Sequence, residues 1–151
     1  MSNNKSFILY RASAGSGKTY TLIREFLALC LKHNETYYKE ILAVTFTNKA
    51  ANEMKAKILN YLKEIIENDK NNSDMLFDLH KETGLTYEII REKSKRLFID
   101  IIHNYSDFNI STIDSFVQQV SRSFAKELNL PSQYKVLLDE DELLDEIIHR
   151  I

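Results

Sequence analysis

One segment restricts the fold of this chain more than any other. It comprises residues 12–19, Ala-Ser-Ala-Gly-Ser-Gly-Lys-Thr. They hold two of its three glycines, Gly15 and Gly17, and follow the apolar run Phe7-Ile8-Leu9-Tyr10. Apolar side chains then recur at spacings of three and four, which predicts a helix over 18–32. A buried strand, a glycine loop and a helix are therefore expected in direct succession.

The same order recurs further along the chain. Residues 41–46 form a second apolar, β-branched run, and a helical stripe follows it. That stripe comprises Ala51, Met54, Ile58, Leu62 and Ile65. Strand–helix alternation predicts an α/β fold with a parallel sheet and flanking helices, and the scarcity of glycine (3) and proline (1) argues against an all-β chain.

The remaining segments read as an insertion and a tail. A polar loop at 68–74 and helices at 75–82 and 87–103 predict a helical insert over about 68–107. A short strand at 107–113 and an amphipathic helix marked by Phe116, Val117, Val120, Phe124 and Leu128 follow. Residues 134–138 read as extended, and an acidic helix begins at 139.

The glycine loop fits the chemistry of a triphosphate site, the P-loop pattern. Gly15 and Gly17 allow positive φ, so backbone N–H groups can surround an anion at the start of the helix. Lys18 can bridge the β- and γ-phosphates, and Thr19 offers a hydroxyl to Mg²⁺. The plainer alternative is a glycine turn that happens to contain Lys-Thr.

The end of the second strand carries the pattern Thr45-Phe46-Thr47-Asn48-Lys49. The carboxyl ends of parallel strands face the ligand crevice, so this segment is expected on the same rim as the phosphate loop. Phe46 could stack on a base of single-stranded DNA beside polar groups that bind phosphates. It could equally end the strand inside the core while Thr47 or Asn48 caps the next helix; the residues alone favour neither.

Three segments together resemble the UvrD/Rep superfamily 1 of ATP-dependent DNA helicases. Residues 12–19, 41–51 and 111–116 look like its motifs I, Ia and Ib/Ic, in that order. The opening motif and the helical insert look most like the RecB/AddA branch. The resemblance implies a RecA-like P-loop motor domain, here incomplete, over residues 1–138, with an accessory helical subdomain starting at 139–151.

Carried over by residue, the resemblance implies ATP and Mg²⁺ as cofactors. The nucleotide site would comprise Ala12, Ser13, Ala14, Gly15, Ser16, Gly17, Lys18 and Thr19, with Lys18 and Thr19 catalytic and Thr19 on the metal. Contacts to DNA would come from Phe46, Thr47, Asn48, Thr112 and Ser115. Further implied partners are duplex DNA, the rest of the helicase chain and a nuclease–helicase partner protein, with translocation from 3′ to 5′ in DNA repair or recombination.

Two positions depart from the family pattern. Asp114 stands where a histidine is common, so a helix cap is the role expected of it. The glutamine motif that reads adenine upstream of the loop is missing.

Two other functions remain open from the residues. A small P-loop phosphotransferase would use Asp139 or Glu140 as its metal acid, although six acidic residues in 139–146 read better as the first turns of a solvated helix. The second function that remains open is that of a non-catalytic DNA-binding module.

Charge, cysteine content and hydropathy indicate the cellular environment expected for this chain. Net charge is −2, but residues 1–60 carry nine Lys/Arg against four Asp/Glu, so the loop-bearing end is positive. The single cysteine, Cys30, lies in an apolar run and is predicted to be a core residue. We find no membrane-spanning run and no signal peptide, and expect a cytoplasmic protein with no membrane partner.

Overall fold

The computed structural model describes residues 17–67 and 73–127, which form helices and a short parallel sheet. Several predicted segments lie outside the described residues. They are the strand at 7–10, the loop residues Ala12–Ser16, the extended run at 134–138 and the acidic helix from 139, with Asp139 and Glu140.

The described elements follow the predicted order. They are α1 (Lys18–Lys32), a 3₁₀ turn (Tyr37–Glu40), β1 (Ala43–Thr45), α2 (Asn48–Glu67), α3 (Asp74–Thr83), α4 (Tyr87–His103), a second 3₁₀ turn (Tyr105–Asp107), β2 (Ile110–Thr112) and α5 (Ile113–Glu127). The predicted bounds of α1 and α4 are confirmed. Both strands are three residues long and shorter than predicted; a 3₁₀ turn precedes each of them, and α5 begins directly after the second, at Ile113.

β1 and β2 pair in parallel, with Ala43 opposite Ile110, Val44 opposite Ser111 and Thr45 opposite Thr112. The described part is mostly helical around this two-stranded sheet, which is compatible with the predicted α/β class. The RecA-like P-loop architecture remains a prediction.

A single hydrophobic core is formed by residues of all four helices from α1 to α4. All five residues of the predicted α2 stripe are buried in it, as is Cys30, where burial raises the thiol pKa to about 12. The helices of the predicted insert contribute Met75, Leu76, Leu79, Ile90, Leu97 and Ile101 to the same core. The insert therefore packs with the first two helices, while its assignment as an insertion stays a prediction.

Polar contacts connect α4 to the end of α1 and to the segment that enters β1. The Tyr38 hydroxyl donates to Asp100 Oδ2 over 2.7 Å, and Lys93 Nζ donates to the Leu31 carbonyl over 2.6 Å. Asn109 Nδ2 donates to the Lys39 carbonyl over 2.9 Å, which links the segments that enter β1 and β2. The last of these bonds holds together the two segments that precede the strands.

α5 is amphipathic, as predicted, and the described residues bury its apolar stripe only in part: Phe116 and Val120 are half-buried. Val117 and Phe124 are 41% and 57% exposed, and Leu128 lies outside the described residues. No described helix combines the length and the apolar character needed to cross a bilayer.

Candidate functional site

The start of α1 presents the last residues of the glycine loop. Gly17 has φ 81°, in the left-handed region, and its carbonyl accepts from the Thr21 N–H over 2.9 Å. A Cβ added to Gly17 would meet nothing within 4 Å, so the backbone conformation, not lack of space, favours glycine here.

Lys18 and Thr19 are exposed in the first turn of α1. That turn holds no acidic residue, so the partial positive charge of the helix terminus is unopposed from within it. These features fit a phosphate group. Ala12 to Ser16 lie outside the described residues, so their part in the loop stays a prediction.

The side chains near this turn also fit the way proteins hold Mg²⁺. Within 17–67 and 73–127, no three His, Cys, Asp or Glu residues cluster to form a metal site. Mg²⁺ commonly takes one or two protein ligands, with phosphates and waters completing its shell. The exposed hydroxyl of Thr19 could serve as one such ligand.

A cavity of about 590 Å³ opens beside the turn. It is lined by Gly17, Lys18, Thr19, Tyr20, Ile23, Lys57, Asn60, Tyr61 and Glu64. The α2 residues of this wall come ten or more positions after Thr47, so they lie about 15 Å or more beyond it along the helix axis.

The described end of the phosphate loop therefore does not share a rim with residues 45–49, contrary to the expectation from the sequence. The physical reason is the packing of the first turn of α1. The Tyr20 ring meets the Tyr61 ring edge-on at 5.9 Å, and the Tyr20 hydroxyl donates to Asp78 Oδ2 over 2.8 Å. These contacts hold the turn against the second half of α2 and against α3.

The second group of predicted site residues lies at the carboxyl edge of the sheet. Thr45 and Thr112, the last residues of the parallel strands, are register partners, so the segments that follow them leave from the same edge. Phe46 is 88% exposed. The interpretation that Phe46 ends its strand inside the core is therefore wrong.

Thr47 caps α2. Its Oγ1 accepts from the Ala50 N–H over 3.1 Å, as the alternative interpretation predicted for Thr47 or Asn48. Thr45 Oγ1 stabilises this turn by donating to the Thr47 carbonyl and accepting from its N–H. Asn48 and Lys49 are exposed in the first turn of α2.

On the β2 side, a threonine also caps the following helix. Thr112 Oγ1 accepts from the Ser115 N–H over 3.2 Å and lies 2.8 Å from Ser115 Oγ. The expected cap, Asp114, is exposed in the first turn, so the capping role belongs to Thr112. Ser115 is exposed, whereas Thr112 is 6% exposed, so of these two predicted DNA contacts only Ser115 is presented to solvent.

A family model described as the UvrD/REP helicase N-terminal domain matches residues 1–151. The chain belongs to this family. It is 37% identical over 147 residues to an ATP-dependent helicase/nuclease subunit of Lactobacillus johnsonii, covering 95% of this chain and 10% of that protein. It is 35% identical over 150 residues to the RecB subunit of the RecBCD enzyme of Borreliella burgdorferi, covering 97% and 10%.

A third relative is the ATP-dependent DNA helicase Rep of Buchnera aphidicola, 36% identical over 124 residues, covering 80% of this chain and 17% of that protein. The chain thus spans about a tenth of the first two relatives and less than a fifth of Rep. No solved structure matches it significantly. The resemblance drawn from the three motifs is confirmed.

The sequence did not predict the α2 residues that line the cavity of this UvrD/REP domain. Lys57, Asn60, Tyr61 and Glu64 share one helical face by their spacing of three and four, and none belongs to the buried stripe. A polar face with one aromatic residue was the available signal. Its position beside Lys18 depends on a contact between residues 41 positions apart, which no local pattern reveals.

Proposed function

We propose that this chain is the ATP-binding N-terminal part of a motor that hydrolyses ATP while it moves along single-stranded DNA. The single observation that carries the proposal is the arrangement at the sheet edge, where register pairing of Thr45 with Thr112 presents an 88% exposed Phe46 beside capped helix termini. Membership of the UvrD/REP helicase N-terminal domain family supports the same function.

The nucleotide half of the proposal rests on residues 12–19. Lys18 would bind the β- and γ-phosphates, Gly17 would bring its backbone close to them, and Thr19 would hold Mg²⁺, which supplies charge neutralisation when it is bound. The positive φ of Gly17 and the exposure of Lys18 and Thr19 support these roles.

The DNA half rests on the sheet edge. Phe46 would stack on a base, while Thr47, Asn48 and Ser115 would donate hydrogen bonds to phosphates. Residues 43–52 include one lysine, Lys49, and no Asp or Glu, so a phosphate backbone meets no acidic side chain from this segment. Thr112 would act through Ser115, because its hydroxyl is buried and bonded to that residue.

The activity of the whole protein is proposed from its relatives. Their names describe an ATP-dependent DNA helicase, an ATP-dependent helicase/nuclease and a RecBCD enzyme. We therefore propose DNA unwinding with 3′ to 5′ translocation in repair or recombination, together with a nuclease–helicase partner protein.

Equilibrium binding of Mg·ADP tests the nucleotide half against the two alternatives. Lys18→Ala should weaken ADP binding by about tenfold or more, because a charged hydrogen-bonding partner of the phosphates is lost. Lys95→Ala, at an exposed position on α4, is the matched control and should bind as the wild type does.

The alternatives predict different outcomes. A phosphotransferase that uses Asp139 or Glu140 as its metal acid would lose Mg·ADP binding in the Asp139→Asn/Glu140→Gln variant, whereas we expect no change. A non-catalytic DNA-binding module would show no difference between Lys18→Ala and Lys95→Ala, and that result would contradict the nucleotide site.

A further inference from the structure

Two neighbouring helices carry an apolar face that the described residues leave uncovered. On α4 and in the 3₁₀ turn after it, Ile99, Ile102 and Tyr105 are 45%, 50% and 46% exposed, and Phe98 is half-buried. Half-buried Leu59 lies on α2, which packs against α4. We call these five residues the α2/α4 face. Contiguous exposed apolar side chains with a polar rim are typical of a surface that binds another polypeptide segment.

Two cation–π contacts show that α2 and α4 contribute to this face side by side. Lys55 Nζ on α2 lies 5.2 Å from the centre of the Tyr105 ring, and Lys63 Nζ lies 5.8 Å from that of the Phe98 ring. The position on α4 falls as the position on α2 rises, so the two helices run in opposite directions here. Ile102 comes between the two aromatic residues and therefore occupies the middle of the face.

The rim of the α2/α4 face is positive. Lys55 and Lys63 lie one turn on either side of Leu59, and exposed Lys95 lies one turn before Ile99. Within residues 17–67 and 73–127, no carboxylate forms an ion pair with any of these three lysines.

Acidic residues of the same two helices leave this charge largely uncompensated. The Asp100 carboxylate accepts from the Tyr38 hydroxyl over 2.7 Å, and Glu92 pairs with Arg96. Glu67 is the last residue of α2, so it lies beyond the second lysine at the far end of the helix. A segment that fits this face is therefore apolar along one side and acidic around it.

This chain contains a segment of that composition, which lies outside the described residues. Residues 139–151, here called the acidic segment, hold six Asp or Glu and one Arg, so their formal net charge is −5 with His neutral. Their five apolar residues recur at helical spacing, which predicts one apolar side. These residues are Leu143, Leu144, Ile147, Ile148 and Ile151.

The acidic segment is close enough along the chain to reach the α2/α4 face. The last described residue of α5 is Glu127, and residues 128–138 connect it to the segment. An extended chain spans about 3.3–3.6 Å per residue, so this connection can cover up to roughly 36–40 Å. A domain of this length has a radius of gyration of about 15 Å, so distance does not prevent docking.

We propose that the acidic segment docks on the α2/α4 face, with its apolar side against Ile102 and its carboxylates beside the three lysines. Burial of apolar side chains from both surfaces provides the attraction. The ion pairs are exposed, so they orient the segment more than they stabilise it. The start of the predicted accessory subdomain is thereby held against α2 and the predicted insert.

Hydrogen–deuterium exchange of the full chain, read by mass spectrometry, tests the docking. Amides of residues 143–151 should exchange about tenfold or more slowly than in an unstructured chain, because so short a helix is marginal without packing. Ile102→Gln removes an apolar contact at the middle of the face and should speed their exchange by about fivefold or more. Ile89→Gln is the matched control, since Ile89 is also exposed on α4, at 41%, but lies in its first turn, and it should exchange as the wild type does.

A charge reversal tests the rim. Lys63→Glu should speed exchange of residues 143–151 by about threefold or more at low salt, and roughly 1 M NaCl should reduce this effect because it screens exposed charges. Lys57→Glu is the control, because Lys57 is exposed on α2 but lines the cavity beside α1. Slow exchange of the buried α2 stripe verifies that each variant remains folded.

Two results would overturn the docking. One is unprotected exchange of residues 143–151 in the wild type, and the other is an equal effect of Ile102→Gln and Ile89→Gln in folded variants. Sedimentation velocity distinguishes a second copy as the occupant. We expect a monomer, whereas a dimer that Ile102→Gln dissociates, with residues 143–151 unprotected, would overturn the proposal and assign the face to self-association.

Discussion

Thr45 and Thr112 face each other in register at the ends of two parallel strands, and a helix begins within three residues of each. Both helices have threonine hydroxyl caps, from Thr47 for α2 and from Thr112 for α5. Two helix N-termini, each with a partial positive charge, therefore lie at one edge of the sheet. Exposed Phe46 precedes the first of them, so a base and its neighbouring phosphates could be bound together there.

Thr47→Val should weaken both stability and DNA binding. Valine keeps the shape of threonine but cannot accept from the Ala50 N–H, so we expect a loss of about 1 kcal/mol in the free energy of unfolding. Affinity for an oligothymidylate should also fall, because the hydroxyl is a proposed phosphate contact. Urea unfolding and fluorescence anisotropy would measure the two effects. Thr47→Ser keeps the hydroxyl and should change neither by much; an equal loss in both variants would contradict the capping role.

Gly17→Ala should lower nucleotide affinity through the backbone. At φ 81° an alanine costs about 1 kcal/mol or more, although its methyl group would have room. Gly84 is a matched control, since it has φ 72°, equal space, and a capping position at the end of α3. Both variants should lose similar stability in thermal unfolding, but only Gly17→Ala should bind Mg·ADP more weakly. Equal losses of ADP affinity would mean that Gly17 acts only through overall stability.

Tyr38 should make the protein less stable at alkaline pH. Burial, and then the hydrogen bond to Asp100, raise the pKa of Tyr38 well above its usual value, which is near 10. Above pH 10 the unfolded chain therefore loses a proton that the folded chain keeps, so the free energy of unfolding falls as pH rises.

The Tyr38→Phe variant isolates this effect. Each such proton contributes a slope of about 1.4 kcal/mol per pH unit, so the variant should show a shallower decline between about pH 10 and 11 than the wild type. Tyr105→Phe is the control, because Tyr105 is 46% exposed. Parallel curves for Tyr38→Phe and the wild type would contradict the raised pKa.

The sequence predicted the positions of the helices better than it predicted how the helices pack against each other. The α2 stripe from Ala51 to Ile65 recurs at helical spacing because one face of α2 packs on the core, and that periodicity is visible locally. The rim expected to join residues 45–49 to the phosphate loop depended instead on where α1 packs. Tyr20 is fixed by Asp78, 58 positions away, and a local pattern carries no information about such a partner.

Some functional residues were likewise predictable from the local sequence, whereas others were found only in the fold. The motif residues Lys18, Thr19 and Phe46 were identified from local chemistry, whereas the exposure of Phe46 needed the fold. Thr112 and Asp114 show the limit of the motif, because the order Thr-Ile-Asp-Ser does not reveal which oxygen caps α5. Tyr61 and Asn60 carry no motif and were found only through the cavity they line.

The central claim is that the edge marked by Phe46 binds single-stranded DNA, and Phe46→Ala tests it most directly. Fluorescence anisotropy with a labelled oligothymidylate should show a loss of about fivefold or more, since stacking on an aromatic ring contributes about 1–3 kcal/mol per base. Phe77→Ala is the matched control, because Phe77 is also exposed, at 55%, but lies on α3. It should bind as the wild type does. Equal affinities for wild type, Phe46→Ala and Phe77→Ala would contradict the account.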